Sequence, residues 1–191
     1  TAECLVKCGA QINVTDMSGE TPLYAASWVG HEKTVEVLVK CGAEINHPDN
    51  SGWTPLYAAA FNGNEKVVYY LVKSAADINH ANNNGDTPLY AASSNGHERI
   101  VVCLVKYGAE INHVVKNGCT PLYVASSNGH EKVVECLVKF GAEINRGNSD
   151  GATPLNVACS EGHEKVVEYL VKCGAEINRA NNDGKTPLYV A

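Results

Sequence analysis

The feature that most restricts this chain is a tripeptide that returns at a fixed interval. Thr-Pro-Leu occurs six times, with prolines at Pro22, Pro55, Pro88, Pro121, Pro154 and Pro187, and every interval is 33 residues. No insertion disturbs that period over the 191 residues. Length alone suggests one compact domain, which usually takes about 100 to 200 residues. A constant short period instead describes a linear stack, in which each unit buries its apolar face against the next copy.

One unit, Asp16 to Pro48, shows how the pattern works. Asp16 and Gly19 specify a tight turn, because the carboxylate can bond nearby amides and glycine accepts a positive φ. Thr21 is placed to cap a helix, Pro22 suits a first helical position where no amide hydrogen is needed, and Leu23 opens an apolar face. That helix is expected to end near Gly30. A second helix follows, with Glu32 in its first turn, Val35, Leu38 and Val39 on one face, Lys40 in its last turn and Gly42 as a left-handed cap. Isolated helices shorter than about 12–15 residues are marginal in water, so stacking has to hold these. The columns for it are visible as Leu5, Leu38, Leu71, Leu104, Leu137 and Leu170, with Val6, Val39, Val72, Val105, Val138 and Val171 beside them.

Composition removes several classes of function. A hydrophobic fraction of 45% and a charged fraction of 19% are too ordinary for a disordered chain. No apolar run approaches the roughly 20 residues of a membrane span, so membrane insertion is not expected. A net charge of -6 with 15 Lys and Arg offers no basic surface to a phosphate backbone, so nucleic acid is not an expected partner. The eight cysteines follow the repeat, with Cys8, Cys41 and Cys173 in one column and Cys4, Cys103 and Cys136 in another. Column neighbours lie a helix spacing of about 8–10 Å apart, beyond the roughly 4.4–6.8 Å that a disulfide spans. They read as free thiols of a cytoplasmic, reducing setting. The histidine columns, His31, His97, His130 and His163 at the interhelical turn and His47, His80 and His113 at the finger bases, are too widely spaced to share a metal ion. No nucleophile and base can be assembled and no glycine-rich phosphate loop occurs, so catalysis, cofactors and metals are not expected.

TPLY, GHEKVVE and GAEIN, spaced as they are here, resemble the TPLH, GHxxVV and GADVN of the ankyrin repeat over essentially the whole chain. The resemblance implies an all-α solenoid of paired antiparallel short helices with β-turn fingers. Full repeats are expected at 16–48, 49–81, 82–114, 115–147 and 148–180, with partial repeats at 1–15 and 181–191. Because both ends fall inside a repeat, the chain is expected to be a monomer or a stretch of a longer array.

Departures from the family pattern carry information. Tyr24, Tyr57, Tyr90, Tyr123 and Tyr189 stand where the family has histidine after TPL, with Asn156 the exception, and the hydrogen-bond ladder of that position is expected to persist in altered geometry. Ala75 replaces the capping glycine, and a left-handed alanine costs roughly 1 kcal/mol. Val115 replaces the Asp or Asn that starts a finger and loses its side-chain bond. Fraying is expected at both places. Asn13-Val14-Thr15 is a formal glycosylation sequon, and Asn46, Asn79, Asn112, Asn145 and Asn178 resemble the position that asparaginyl hydroxylases modify in some ankyrin proteins.

The resemblance also implies non-catalytic binding of a protein or peptide through the finger tips and the concave, groove-facing short helices. Carried over by position, the contact columns hold Met17, Glu20, Trp53 and Asp86 on the fingers, continuing through Lys116, Asn117 and Cys119. Along the helix ends they hold Trp28, Val29, Phe61, Asn62 and Asn95. Both tryptophans, the only methionine and one of the two phenylalanines of the chain fall between Met17 and Phe61 on these columns. Large aromatic side chains are favoured anchors of binding interfaces, so neighbouring repeats are expected to gather these into one apolar patch. Two readings stay open: the patch anchors a ligand, or its rings only cover the groove and pack on each other. A structural spacer within a longer array is the alternative to a binding module. The Glu and Lys residues of the second helices read as a solvated back face.

Overall fold

The computed structural model describes residues 2–191, apart from the side chains of Ala2 and Val6. Among the described residues there are twelve α-helices and no strand: α1 (Ala2–Lys7), α2 (Pro22–Val29), α3 (Glu32–Lys40), α4 (Pro55–Phe61), α5 (Glu65–Lys73), α6 (Pro88–Ser94), α7 (Glu98–Lys106), α8 (Pro121–Ser127), α9 (Glu131–Lys139), α10 (Pro154–Ser160), α11 (Glu164–Lys172) and α12 (Pro187–Val190). The even-numbered helices form one row, each against the next, and the odd-numbered helices form a second row behind it. Each helix from α2 to α11 also packs on its partner within the repeat, giving an all-helical solenoid.

Each first helix starts the same way. The hydroxyls of Thr21, Thr54, Thr87 and Thr120 accept from the amides of Tyr24, Tyr57, Tyr90 and Tyr123 at 3.1–3.3 Å, and proline follows at once. Thr153 adds a reciprocal bond, its own amide donating to Asn156 Oδ1 at 2.9 Å. The core lies between the two rows. Leu23, Leu56, Leu89, Leu122 and Leu155 from the first helices meet Leu38, Leu71, Leu104, Leu137 and Leu170 from the second, all buried. The Val39 column is only half-buried along most of its length, and its member Val6 lies outside the described side chains.

Polar groups sew the repeats together at three levels. Along the fingers the amide of Asn50 donates to Ser18 O, Asn83 to Ser51 O, Lys116 to Asn84 O, Ser149 to Asn117 O and Asn182 to Asp150 O. Three of these steps gain a second bond, since Asn50, Asn83 and Asn182 also donate through Nδ2 to Met17 O, Asn50 O and Ser149 O. At the middle level, Oδ1 of Asn13, Asn46, Asn79, Asn112 and Asn145 accepts from an amide 31 residues on, at 2.8–3.0 Å. The sequon asparagine Asn13 is thereby tied to Glu44. At the interhelical turn, Nε2 of His97, His130 and His163 donates to Phe61 O, Ser94 O and Ser127 O at 2.9–3.0 Å. Asn64 takes the same place in its repeat, donating through Nδ2 to Ser27 O and Trp28 O. The turn histidines His97, His130 and His163 thus each bond the first helix of the preceding repeat.

The two sites expected to fray differ from each other. Ala75 has a φ of 65°, the one positive value outside glycine among the described residues. At the equivalent Gly42, Gly108, Gly141 and Gly174 an added Cβ would meet nothing within 4 Å, so the strain at Ala75 is conformational and not steric crowding by neighbours. The Val115 finger, by contrast, is closed. Its amide donates to Cys119 O at 3.1 Å, Asn117 Oδ1 takes over as acceptor from the Cys119 amide, and the valine side chain is buried.

Two outcomes follow for stability. Ala75→Gly is expected to raise stability by about 0.5–1 kcal/mol, the relief of left-handed strain less the entropy glycine adds to the unfolded chain; denaturant titration measures it. His97→Ala is expected to cost about 1 kcal/mol for the lost bond to the part-buried Phe61 carbonyl, and His97→Asn to recover most of that, as Asn64 does in its own repeat.

Candidate partner-binding surface

Three sequence positions bring the aromatic rings together. Trp28 is the last residue but one of α2, Trp53 stands just before the cap Thr54, and Phe61 ends α4. Tyr24 with Trp28 and Tyr57 with Phe61 sit four residues apart, the spacing that places two side chains on one helix face. The next repeat then stacks on the first. Ring centroids are 6.5 Å apart for Trp28 and Trp53, 5.7 Å for Trp28 and Phe61, 6.4 Å for Trp53 and Phe61 and 5.2 Å for Trp53 and Tyr57. All planes in the group lie within 4–19° of parallel. Tyr24 and Tyr57 form its buried floor, while Trp53 and Phe61 are half-buried and Trp28 remains 36% exposed. Stacked aromatic pairs add about 0.5–1.5 kcal/mol beyond the area they bury, so the cluster is both a packing element and an accessible surface.

A cleft of about 290 Å³ opens against it, lined by Glu20, Tyr24, Ala25, Trp28, Val29 and Trp53. Its electrostatics are one-sided. Partial burial, then the carboxylates of Asp16 and Asp49, raise the Glu20 pKa above the usual carboxylate range. Burial raises the Tyr24 phenol too, followed by Asp49 and Glu20, and the Tyr57 phenol likewise, followed by Asp86. Asp49 Oδ1 is held in place by the amides of Ser51 and Trp53, both at 2.8 Å. Asp16 does the same one repeat earlier with the amides of Ser18 and Glu20 at 2.9 Å.

The other sequence-selected residues do not all join the patch. Met17 is completely exposed at its finger tip and stays out of the ring stack. Val29, 61% exposed, lines the cleft beside Trp28. Asn62 and Asn95 turn back to cap their own helices, donating to Ala58 O at 3.0 Å and Ala91 O at 2.9 Å. Asp86 accepts from Asn82 Nδ2 at 3.0 Å within its finger. Cys119 is buried, because its side chain turns inward under the finger. Tyr24 and Tyr57 were the members that position-by-position reasoning missed, although their four-residue spacing to Trp28 and Phe61 was there to read.

A family model for ankyrin repeats matches the chain in three overlapping copies, over residues 1–82, 76–148 and 137–191. The chain belongs to the ankyrin-repeat family. No curated protein matches it. Ankyrin repeats are in general protein-interaction modules, and the fold is typically non-catalytic.

Within this ankyrin array the tyrosines do not continue a hydrogen-bond ladder. Of the five TPLY tyrosines only Tyr123 makes a hydroxyl contact among the described residues, accepting from Asn148 Nδ2 at 3.4 Å. The rings of Tyr24 and Tyr57 join the aromatic stack instead, and the bonds between repeats come chiefly from the fingers, the turn residues and the GAEIN asparagines. At this position Asn156 donates weakly to Arg179 O and Lys185 O at 3.4–3.5 Å.

The back of the ankyrin array is more structured than a solvated charged face. Lys66 pairs with Glu32 at 3.1 Å, Arg99 with Glu65 at 3.3 Å and Lys165 with Glu131 at 3.7 Å, each joining neighbouring repeats. A groove of about 480 Å³ runs between α3, α5 and α7, floored by Val35, Val67 and Ile100 and edged by Tyr69, Tyr70 and Cys103. Tyr69 meets Tyr107 edge-on at 6.4 Å, with the Lys73 ammonium 4.5 Å from its ring centre. Among the described residues no group of three or more His, Cys, Asp or Glu could hold a metal ion, and no helix is long and apolar enough to cross a membrane.

All eight cysteines of the ankyrin array carry free thiols. Cys4, Cys8, Cys41 and Cys173 are exposed, whereas burial pushes the Cys119 thiol up to about 11. A thiol with a raised pKa is protonated below it, so at pH 8 Cys119 is thiolate in about one part in a thousand. Labelling with N-ethylmaleimide, mapped by mass spectrometry, is expected to reach the four exposed cysteines first and Cys119 last. Its rate should rise roughly tenfold per pH unit toward pH 11.

Proposed function

We propose that this ankyrin array binds a partner protein or peptide along the face built from its fingers and first helices, with Trp28, Trp53 and Phe61 as the anchor. The observation that carries the reading is the stack itself: five near-parallel rings from two repeats, with Trp28 36% exposed beside an open cleft. Burying a pre-organised aromatic surface costs little conformational entropy, which is why such surfaces serve as interface anchors. Downstream, the same columns carry Ser94, Asn95, Ser127, Asn128 and Ser160, groups suited to the polar rim of an interface. Repeats bounded at 16–48 and onward in steps of 33, and a cytoplasmic setting for eight free thiols, fit the same reading.

A second reading has one specific observation behind it. The rings satisfy much of their apolar surface on each other, as they would in a spacer segment that sets distance while the partner sits elsewhere. The two separate by mutation. Trp28→Ala and Phe61→Ala are expected to weaken partner capture from the source cell by about 2 kcal/mol, roughly thirtyfold, at an anchor position. The helical circular dichroism should stay unchanged. Undiminished capture, together with equal tolerance across all finger and helix-end columns, supports the spacer.

A further inference from the structure

The charge of the molecule is not spread evenly over its two faces. The finger and first-helix segments 16–30, 49–63, 82–96, 115–129, 148–162 and 181–191 hold seven carboxylates and two lysines, a net of -5 out of the chain's -6. The remaining residues hold 14 carboxylates and 13 Lys and Arg, close to neutral. Around the aromatic stack the imbalance is complete. Segments 16–30, 49–63 and 82–96 contain Asp16, Glu20, Asp49 and Asp86 and no Lys or Arg. On the back face glutamates are paired with lysine or arginine of the next repeat, whereas among the described residues none of these four carboxylates is in an ion pair.

Those charges sit against the rings. Asp49 is fixed 2.8 Å from the amide of Trp53, and Glu20 shares the walls of one cleft with Trp28 and Trp53. At about 290 Å³ that cleft is at the lower edge of the roughly 300–1,000 Å³ of small-molecule sites, a size suited to one long side chain. An acidic side chain would be repelled there. A purely apolar one would desolvate Glu20 without giving it a partner.

Resting on the reading that this face binds a peptide segment, we propose that the segment presents an arginine, whose guanidinium lies on the Trp28 and Trp53 rings and bonds the Glu20 carboxylate. A planar, delocalised cation is drawn to an indole face and offers the paired donors that a carboxylate accepts, which the compact ammonium of lysine matches less well. Asp16, Asp49 and Asp86 supply the surrounding negative field that steers such a segment to the cleft.

The two tryptophans of the chain both belong to the stack, so tryptophan fluorescence, excited beyond the absorption of the nine tyrosines, reports on this cleft alone. Titration with acetyl-Ala-Arg-Ala-Arg-Ala-amide is expected to change the emission saturably, the lysine peptide more weakly and the uncharged citrulline peptide hardly at all. The variant Asp16→Asn, Glu20→Gln, Asp49→Asn should lose about tenfold in affinity for the arginine peptide, the scale of a lost charge-assisted bond. Its fingers should stay folded, because Asn82, Asn148 and Asn181 already make the same turn bonds. An equal response to the citrulline peptide, no response to the arginine peptide at millimolar concentration, or an unchanged affinity in the neutralised variant overturns the inference. A displayed library of 12-residue peptides separates it from the reading beneath. Binders that need Trp28 and Trp53 but lack arginine leave the binding face standing and remove the arginine. A library with no tryptophan-dependent binders removes both.

Discussion

No repeat in this molecule can bury its own apolar face. Helices of 7–9 residues such as α4 and α5 fall below the length at which an isolated helix holds in water, and a pair of them encloses too little surface to compensate. Leu56 and Leu71 reach full burial only because α2 and α3 lie on one side and α6 and α7 on the other. Every other feature follows from that dependence. The period is free of insertions, the leucines occupy fixed columns, and the GAEIN asparagines and turn histidines reach into the neighbouring repeat.

The asparagines and histidines show how the stack gains specificity that apolar contact alone would not give. Leucine columns could slide by part of a turn at modest cost. An Asn46 carbonyl that must meet the Asp77 amide, or a His97 ring that must meet Phe61 O, fixes one register. The bonds are spread over the finger, the GAEIN segment and the interhelical turn, so each interface between full repeats is pinned at three separated points. The aromatic stack inherits that rigidity, which is what holds Trp28 and Trp53 within 4° of parallel although they belong to different repeats.

Much of this was legible in the sequence, because a repeat states its rules several times over. Helix starts, leucine columns and the left-handed cap at Ala75 could be read from spacing and turn chemistry. The gathering of Trp28, Trp53 and Phe61 could be read from their shared columns. What escaped the reading was side-chain direction. Spacing put Met17 and Cys119 on contact columns, yet one projects free into solvent and the other turns inward. The family's histidine position suggested a polar ladder for Tyr24 and Tyr57, whereas the length of the phenol ring favours stacking. The groove behind α3, α5 and α7 was invisible because glutamate and lysine mark a surface without saying how it is shaped.

The finger steps also differ in how they would respond to force. Asn50, Asn83 and Asn182 hold the preceding finger by two bonds, but Lys116 and Ser149 hold it by the backbone alone. A load on the finger tips alone therefore meets two bonds per step at the aromatic end and one through the middle, where the added ties lie deeper, from Asn128 to Ser94 O and from Asn148 to the Tyr123 hydroxyl.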